Sequence, residues 1–159
     1  MEEKPYSLTF HLKGKTALIT GAAKGIGKAI AQVFSEQKAN IILVDMDQEV
    51  INVANALPSS TTRNLPIIAD ITENGDLKRI HQEIYKVFPQ IDILVNNAGV
   101  GMLDDAENLS EEIWDKTMAV NLKAPFMLSQ IIGREMIKQK KGKIINIASQ
   151  AGLIALDKH

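Results

Sequence analysis

The sequence contains no cysteine and only three histidines, His11, His81 and His159, set far apart. Without thiols there is no disulfide framework, no thiolate nucleophile and no cysteine-ligated zinc site. Three scattered imidazoles also argue against a histidine-ligated metal centre, and no metal is expected. Charge of one sign is lacking too: 18 Lys and Arg face 19 Asp and Glu, a net charge of −1. A nucleic-acid binder normally carries a basic excess, so nucleic acid is not an expected partner. No apolar run approaches the roughly 20 residues that span a bilayer, so no membrane association is expected either. The opening Met1-Glu2-Glu3-Lys4-Pro5 is charged and has none of the apolar stretch of a secretion signal. A cytoplasmic protein is the expectation that remains, and the want of cysteine suits a reducing compartment. Aromatic residues are few, at 4%, yet 45% of the 159 residues are hydrophobic, a normal share for a globular core.

What is present is an alternation of two element types. Residues 16–20, 40–45, 65–70, 91–96 and 143–148 are rich in Ile, Val and Leu with little polar alternation, as in strands covered on both faces. Between them lie segments with helical spacing. Ile26, Ile30, Val33 and Phe34 share one face, as do Leu77, Ile80, Ile84, Val87 and Phe88, while Val50, Ala54 and Leu57 make a shorter stripe before Pro58. A longer helical region, about 111–140, carries Ile113, Met118, Leu122, Phe126 and Ile137, and Trp114 is expected to pack as core. Strands alternating with helices over short connections predict an α/β fold: a Rossmann-like, doubly wound parallel sheet with right-handed crossovers. Residues 1–13 read as a leader and 14–159 as the N-terminal portion of a larger domain of this kind. In such sheets ligands bind beyond the carboxyl ends of the strands.

The first strand runs into Thr20-Gly21-Ala22-Ala23-Lys24-Gly25-Ile26-Gly27 and then a helix. Glycines at the first, fifth and seventh places allow a tight turn, close backbone approach to a diphosphate and close helix–strand packing, and the helix start offers unpaired N–H groups to the phosphates. Asp45 ends the second strand, 24 residues after Gly21, close to where an acidic side chain accepts from the adenosine ribose hydroxyls. A carboxylate there repels a 2′-phosphate and favours NAD over NADP, although Lys24 in the loop could reach such a phosphate. Asp47 reads as the cap of the next helix.

These residues resemble the short-chain dehydrogenase/reductase family in its common single-domain form. The resemblance rests on the glycine spacing, on Asn96-Asn97-Ala98-Gly99 after the fourth strand, on Asn121 within Val120-Asn121-Leu122, and on Ser149 after Ile147-Ala148. It implies that Gly21, Ala23, Lys24, Gly25, Ile26, Gly27, Asp45 and Met46 bind the cofactor. It implies too that Asp70 and Ile71 flank the adenine, that Asn96, Asn97, Ala98 and Gly99 line the cofactor path together with Val120 and Ile147, and that Asn97 also ties the central strands together. Asp70 reads locally as a turn or cap residue just as well.

Pro125, four residues after Asn121, has no N–H to bond the Asn121 carbonyl, so a helix kink is expected there with a carbonyl free to hold water. By the resemblance that kink links a catalytic lysine to solvent, and Ser149 hydrogen-bonds the substrate oxygen without acting as a covalent nucleophile; no Gly-x-Ser-x-Gly elbow surrounds it. Asn121 and Ser149 are thus the expected catalytic residues. His81 and the lysines at 138, 140, 141 and 143 read as solvated.

The family's acid/base is a tyrosine with a lysine four residues on. Neither Tyr6 nor Tyr85 has such a partner, and only ten residues follow Ser149. The chain is therefore expected to be part of a longer enzyme and inactive by itself, with the fifth strand an unprotected edge. The expected parent activity is NAD(H)-dependent interconversion of a secondary alcohol and a ketone. A sugar alcohol or keto-sugar is the first expected substrate, a 3-oxoacyl thioester the second and a steroid or other ring alcohol the third. A homodimer or homotetramer is the expected assembly. A dinucleotide-binding module without catalysis is the alternative from another class; a Rossmann-like methyltransferase fits the glycine loop but neither Asn-Asn-Ala-Gly nor Ser149.

Overall fold

The computed structural model describes residues 11–58, 62–102 and 104–152; most of the expected leader, 1–13, and the tail 153–159 lie outside them. Five strands form one parallel sheet: β1 (Thr16–Thr20), β2 (Asn40–Asp45), β3 (Asn64–Ile68), β4 (Ile93–Asn96) and β5 (Lys143–Asn146). Their spatial order is β3-β2-β1-β4-β5. The chain builds outward from β1 to β3 and then returns to the other side of β1, so the order reverses between β1 and β4. Crevices that take ligands open at such reversals.

The period of two along each strand divides the interior into two layers. Leu18, Ile42 and Val44 face α3 (Asn74–Val87) and α5 (Ala124–Lys138), meeting Leu77, Ile80, Ile84, Leu128 and Ile132. Ala17, Ile19, Ile41 and Leu43 face the other way, onto α1 (Gly25–Glu36) and α2 (Glu49–Ala56), meeting Ala31, Val50, Val53 and Ala54. The fold is thus the expected doubly wound sheet. Pro66 is tolerated within β3 because that strand lies at the sheet edge.

Several expectations are corrected in detail. On α1 the buried residues are Gly27, Ala31 and Ser35, whereas Ile26 and Val33 are exposed and Ile30 and Phe34 only half-buried. The helix begins against the glycine turn with no room for a side chain at its third residue: a Cβ on Gly27 would stand 2.2 Å from the Gly21 carbonyl oxygen. The long helical region divides into α4 (Glu111–Met118), a π-helical turn (Ala119–Lys123) and α5. The Ala124 amide reaches back five residues to the Ala119 carbonyl, and Pro125 follows with no amide proton, so the ladder slips by one residue at the expected kink. That slip helps to decide which face is buried. Ala124, Leu128, Ile132 and Met136 pack inward, while Met118, Leu122, Phe126 and Ile137 are exposed. Trp114, expected in the core, is 56% exposed on α4. Strand β5, expected to be covered on both faces as a strand but open at its edge, is exposed along its length.

Candidate functional site

Two turns meet at the reversal between β1 and β4. Gly21 (φ +65°) and Gly25 (φ +57°) both take left-handed backbone angles that favour glycine. Around Gly21 space is tight, since a Cβ would meet Ala98 Cα at 2.8 Å and Asn97 Nδ2 at 2.9 Å. Gly25 is different: no atom lies within 4 Å of where its Cβ would stand. One glycine serves the turn, one serves helix packing, and Gly25 leaves open space at the start of α1. Lys24 precedes that helix with extended backbone and makes no side-chain cap, so the first-turn N–H groups are left for another acceptor. Lys24, Gly25 and Ile26 are all exposed.

Asn97 fuses the two turns. Its Nδ2 donates to the Thr20 carbonyl at 3.0 Å and the Gly21 carbonyl at 3.1 Å. The Thr20 hydroxyl accepts from the Asn97 and Ala98 amides, each at 3.1 Å, and donates to the Val95 carbonyl at 3.4 Å. Nothing in the spacing of Thr20 had marked it out; its place as the last residue of a strand before the glycine turn is the only signal. From the other side, Asp45 Oδ2 accepts from the Ala23 amide at 2.9 Å and Oδ1 from the Asp47 amide at 3.0 Å. Asp47 in turn accepts from the Glu49 amide at 2.9 Å, capping α2, and Met46 between them is exposed. The groups at the strand ends therefore form one braced rim.

Beside the rim lies a cleft of about 870 Å3 bounded by the residues 96–101, the π turn, the start of α5 and the end of β5. Asn121, Asn97, Ala98, Gly99, Ile147 and Ser149 all line it. Asn121 clips the loop after β4 in both directions: its Nδ2 donates to the Val100 carbonyl at 2.8 Å and its Oδ1 accepts from the Val100 amide at 2.9 Å. Val120, half-buried, lies in the same turn. Ser149 follows β5, and its carbonyl accepts from the Gly152 amide at 3.2 Å. Asn96 also reaches the cleft, yet its amide is spent on Ser129 at 2.9 Å and Asn146 at 2.8 Å. Neither partner was singled out from the sequence, though Asn146 is the one polar side chain within Ile144-Ile145-Asn146-Ile147 and could have been.

Asp70 and Ile71 stand apart from this cleft. Asp70 Oδ1 accepts from the Thr72 amide at 2.9 Å and hydroxyl at 2.7 Å, a local turn, and Ile71 is buried in the core against α3. The Asp70 amide donates to Asp76 Oδ2 at 2.7 Å, and this bond, with Arg79 beside it, holds the Asp76 carboxyl below the usual aspartate range. The His81 and Tyr85 rings meet at a tilt of 46° with centroids 4.7 Å apart, and burial with the nearby Glu135 charge pushes the Tyr85 hydroxyl up to about 12. Among the lysines, Lys138 pairs with Glu135 at 2.8 Å and Lys141 lies 3.7 Å from Asp92. Among the described residues no three His, Asp or Glu gather as a metal site, and no helix is long and apolar enough to cross a membrane.

A parallel sheet with an order reversal at a glycine turn defines a Rossmann-like class, and comparison with known proteins narrows it. The chain belongs to the short chain dehydrogenase family, whose model matches residues 15–158. It is 50% identical to an NAD-dependent glycerol dehydrogenase of Listeria innocua, over 100% of this chain and 62% of that protein. It is 38% identical to a D-threitol dehydrogenase of Mycolicibacterium smegmatis, over 99% of this chain and 61% of that one. Among solved structures, an NAD(P)-dependent gluconate 5-dehydrogenase from Beutenbergia cavernae, assigned that function provisionally and holding NADP at low occupancy, superposes with a TM-score of 0.86. That match has 30% identity and covers 93% of this chain and 59% of the other. The chain thus spans about three-fifths of the length of these relatives.

Proposed function

We propose that the protein is an NAD(H)-dependent oxidoreductase that interconverts a secondary alcohol and a ketone by hydride transfer, with a sugar alcohol as substrate. The observation that carries this reading is the braced rim at the β1–β4 reversal. Gly25 leaves room for a diphosphate, α1 begins without a side-chain cap, and Asp45 stands at the end of β2. These features fit a dinucleotide. Lys24, Ile26 and Met46 are exposed at the same rim and are assigned to cofactor contact with Gly21, Ala23, Gly27, Asn97, Ala98 and Gly99. Asp70, Ile71, Val120 and Ile147 are assigned to its flanks.

The choice of NAD over NADP rests on Asp45, whose carboxylate is oriented by two backbone amides and would repel a 2′-phosphate. The choice of a polyol rests on the names of the glycerol and threitol dehydrogenases that the chain resembles.

The bound nicotinamide supplies the hydride acceptor or donor. In this chain Ser149, at the rim of the cleft, hydrogen-bonds the substrate oxygen. The Asn121 carbonyl, which Pro125 cannot engage, accepts from a water, while the Asn121 side chain holds Val100 in place. The proton itself needs an acid/base. Tyr85 is unsuited to that work, with its hydroxyl near 12 and its place on α3. Tyr6 lies outside the described residues and has no lysine four residues on. We assign proton exchange to a Tyr–Lys pair outside these 159 residues. The apolar stripe of Trp114, Met118, Leu122 and Phe126 supports assembly into a homodimer or homotetramer.

A steady-state assay of the intact gene product with NAD+ against glycerol, threitol and a 3-hydroxyacyl thioester tests this. Turnover of a polyol is the expected result. Turnover of the thioester alone would replace the substrate assignment, and cofactor binding without any turnover would make the protein a binding module.

A further inference from the structure

Asn96 ends β4 with its side chain almost wholly enclosed, 4% exposed. One amide there joins three elements: Nδ2 donates to Ser129 Oγ on α5 and to Asn146 Oδ1 on β5. The β4–β5 pairing ends at the same level, where Asn96 opposes Asn146 and the Ile147 amide donates to the Asn96 carbonyl at 2.9 Å. Beyond that bond the chain leaves the sheet, and Ser149 comes three residues after Asn146. Ser129 lies on the helix that continues from the π turn carrying Asn121. The amide therefore ties the strand that leads to Ser149 to the helix that leads from Asn121.

Stability alone does not account for this arrangement. Asn96 Oδ1 is buried with no hydrogen-bond partner among the described residues, which is an unfavourable use of an amide in a core. An apolar side chain would fill the same place without that cost.

We propose that Asn146 and Ser129, joined through Asn96, are positioning residues that fix where Ser149 stands relative to Asn121. The proposal rests on the catalytic roles assigned above to Ser149 and Asn121. Without the cross-link, β5 and α5 remain attached to β4 by backbone and apolar contact, and only the exit of the chain from the sheet gains freedom. A misplacement of that kind lowers turnover with little effect on a cofactor held mainly at the glycine turn.

The test compares the intact wild-type enzyme with Asn146→Ala, Asn146→Asp and Ser129→Ala. It records kcat and KM for the polyol, NADH affinity, thermal midpoint, and amide hydrogen exchange at Ile147 and Ser149. In N146A and S129A we expect kcat to fall by about tenfold, with NADH affinity unchanged within about twofold and exchange faster at those two amides. N146D keeps an oxygen to accept from Asn96 and should restore most of the loss. Unchanged kcat in N146A, unchanged exchange, or a loss in N146D equal to that in N146A overturns the proposal. So does a loss that only follows the thermal midpoint and NADH affinity. If the wild type turns over no alcohol, the catalytic reading falls by itself, and the exchange rates still decide whether the cluster fixes the Ser149 segment.

Discussion

Asp45 accepts the Ala23 amide proton at 2.9 Å, so the end of β2 braces the glycine turn that follows β1. The same carboxylate takes the Asp47 amide through its other oxygen. A carboxylate has about four acceptor sites, which leaves capacity for ribose hydroxyls in a direction already set. The brace and the discrimination can be separated. Asp45→Asn keeps an oxygen for Ala23 but loses the charge, and should reduce the preference for NADH over NADPH by about tenfold. Asp45→Ala loses both and should also weaken the binding of each cofactor. Equilibrium titration of both variants with both cofactors measures this; an unchanged ratio in D45N would mean that another group sets the preference.

Gly25 and Gly27 make opposite demands. A Cβ at Gly27 would stand 2.2 Å from the Gly21 carbonyl oxygen and 2.6 Å from Asn97 Nδ2, so Gly27→Ala must push the helix away from the turn. It should destabilise the fold by about 2–3 kcal/mol in urea denaturation. At Gly25 nothing stands in the way, and Gly25→Ala should cost only about 1 kcal/mol for its positive φ. Its larger effect falls on binding, because the methyl group enters the space assigned to the diphosphate. A G25A variant that is stable but binds NADH as wild type does would contradict that assignment.

Much of this could be read from the sequence because it depends on residues near one another in the chain. The runs of Ile, Leu and Val marked all five strands to within two residues of their observed ends, and the Asn121–Pro125 spacing marked a kink where the π turn lies. What the sequence hid depends on contacts between distant elements. The face that α5 buries follows partly from the one-residue slip at Ala119–Lys123, which a fixed helical period cannot anticipate. On α1 the face turned inward is that of Gly27, Ala31 and Ser35, which leaves Ile26 and Val33 exposed and Ile30 and Phe34 half-buried. The Thr20–Asn97 and Asn96–Asn146 bonds join positions 77 and 50 residues apart, and no local pattern specifies such partners. Asp70, readable as either adenine neighbour or turn residue, has an oxygen engaged in its own turn.

Asn97 holds the two turns together through two donated bonds and its own amide. Asn97→Ala leaves the Thr20 and Gly21 carbonyls without those donors and should destabilise the protein by about 2 kcal/mol. Asn97→Asp should be at least as harmful, because a carboxylate would face two carbonyl oxygens. Urea denaturation of both variants checks the order.

Asp76 gives the fold a pH dependence of known sign. The Asp70 amide and Arg79 favour its ionised form, so its folded pKa lies below that of the unfolded chain. The stability it contributes is present above the unfolded value near about 4 and is lost as pH falls through the folded value. Asp76→Asn should therefore be less stable than wild type at pH 7, by about 1 kcal/mol, with the difference closing below about pH 4. A difference that stays constant from pH 7 to pH 3 would mean that the charge is irrelevant to the bond.

Titration of the protein with NADH and NADPH under identical salt, followed by calorimetry, tests the cofactor reading most directly. Saturable binding of one equivalent of NADH, tighter than NADPH by about tenfold or more, is the result expected from the Gly25 opening and the Asp45 carboxylate. No saturable binding of either cofactor, or tighter binding of NADPH, would contradict it.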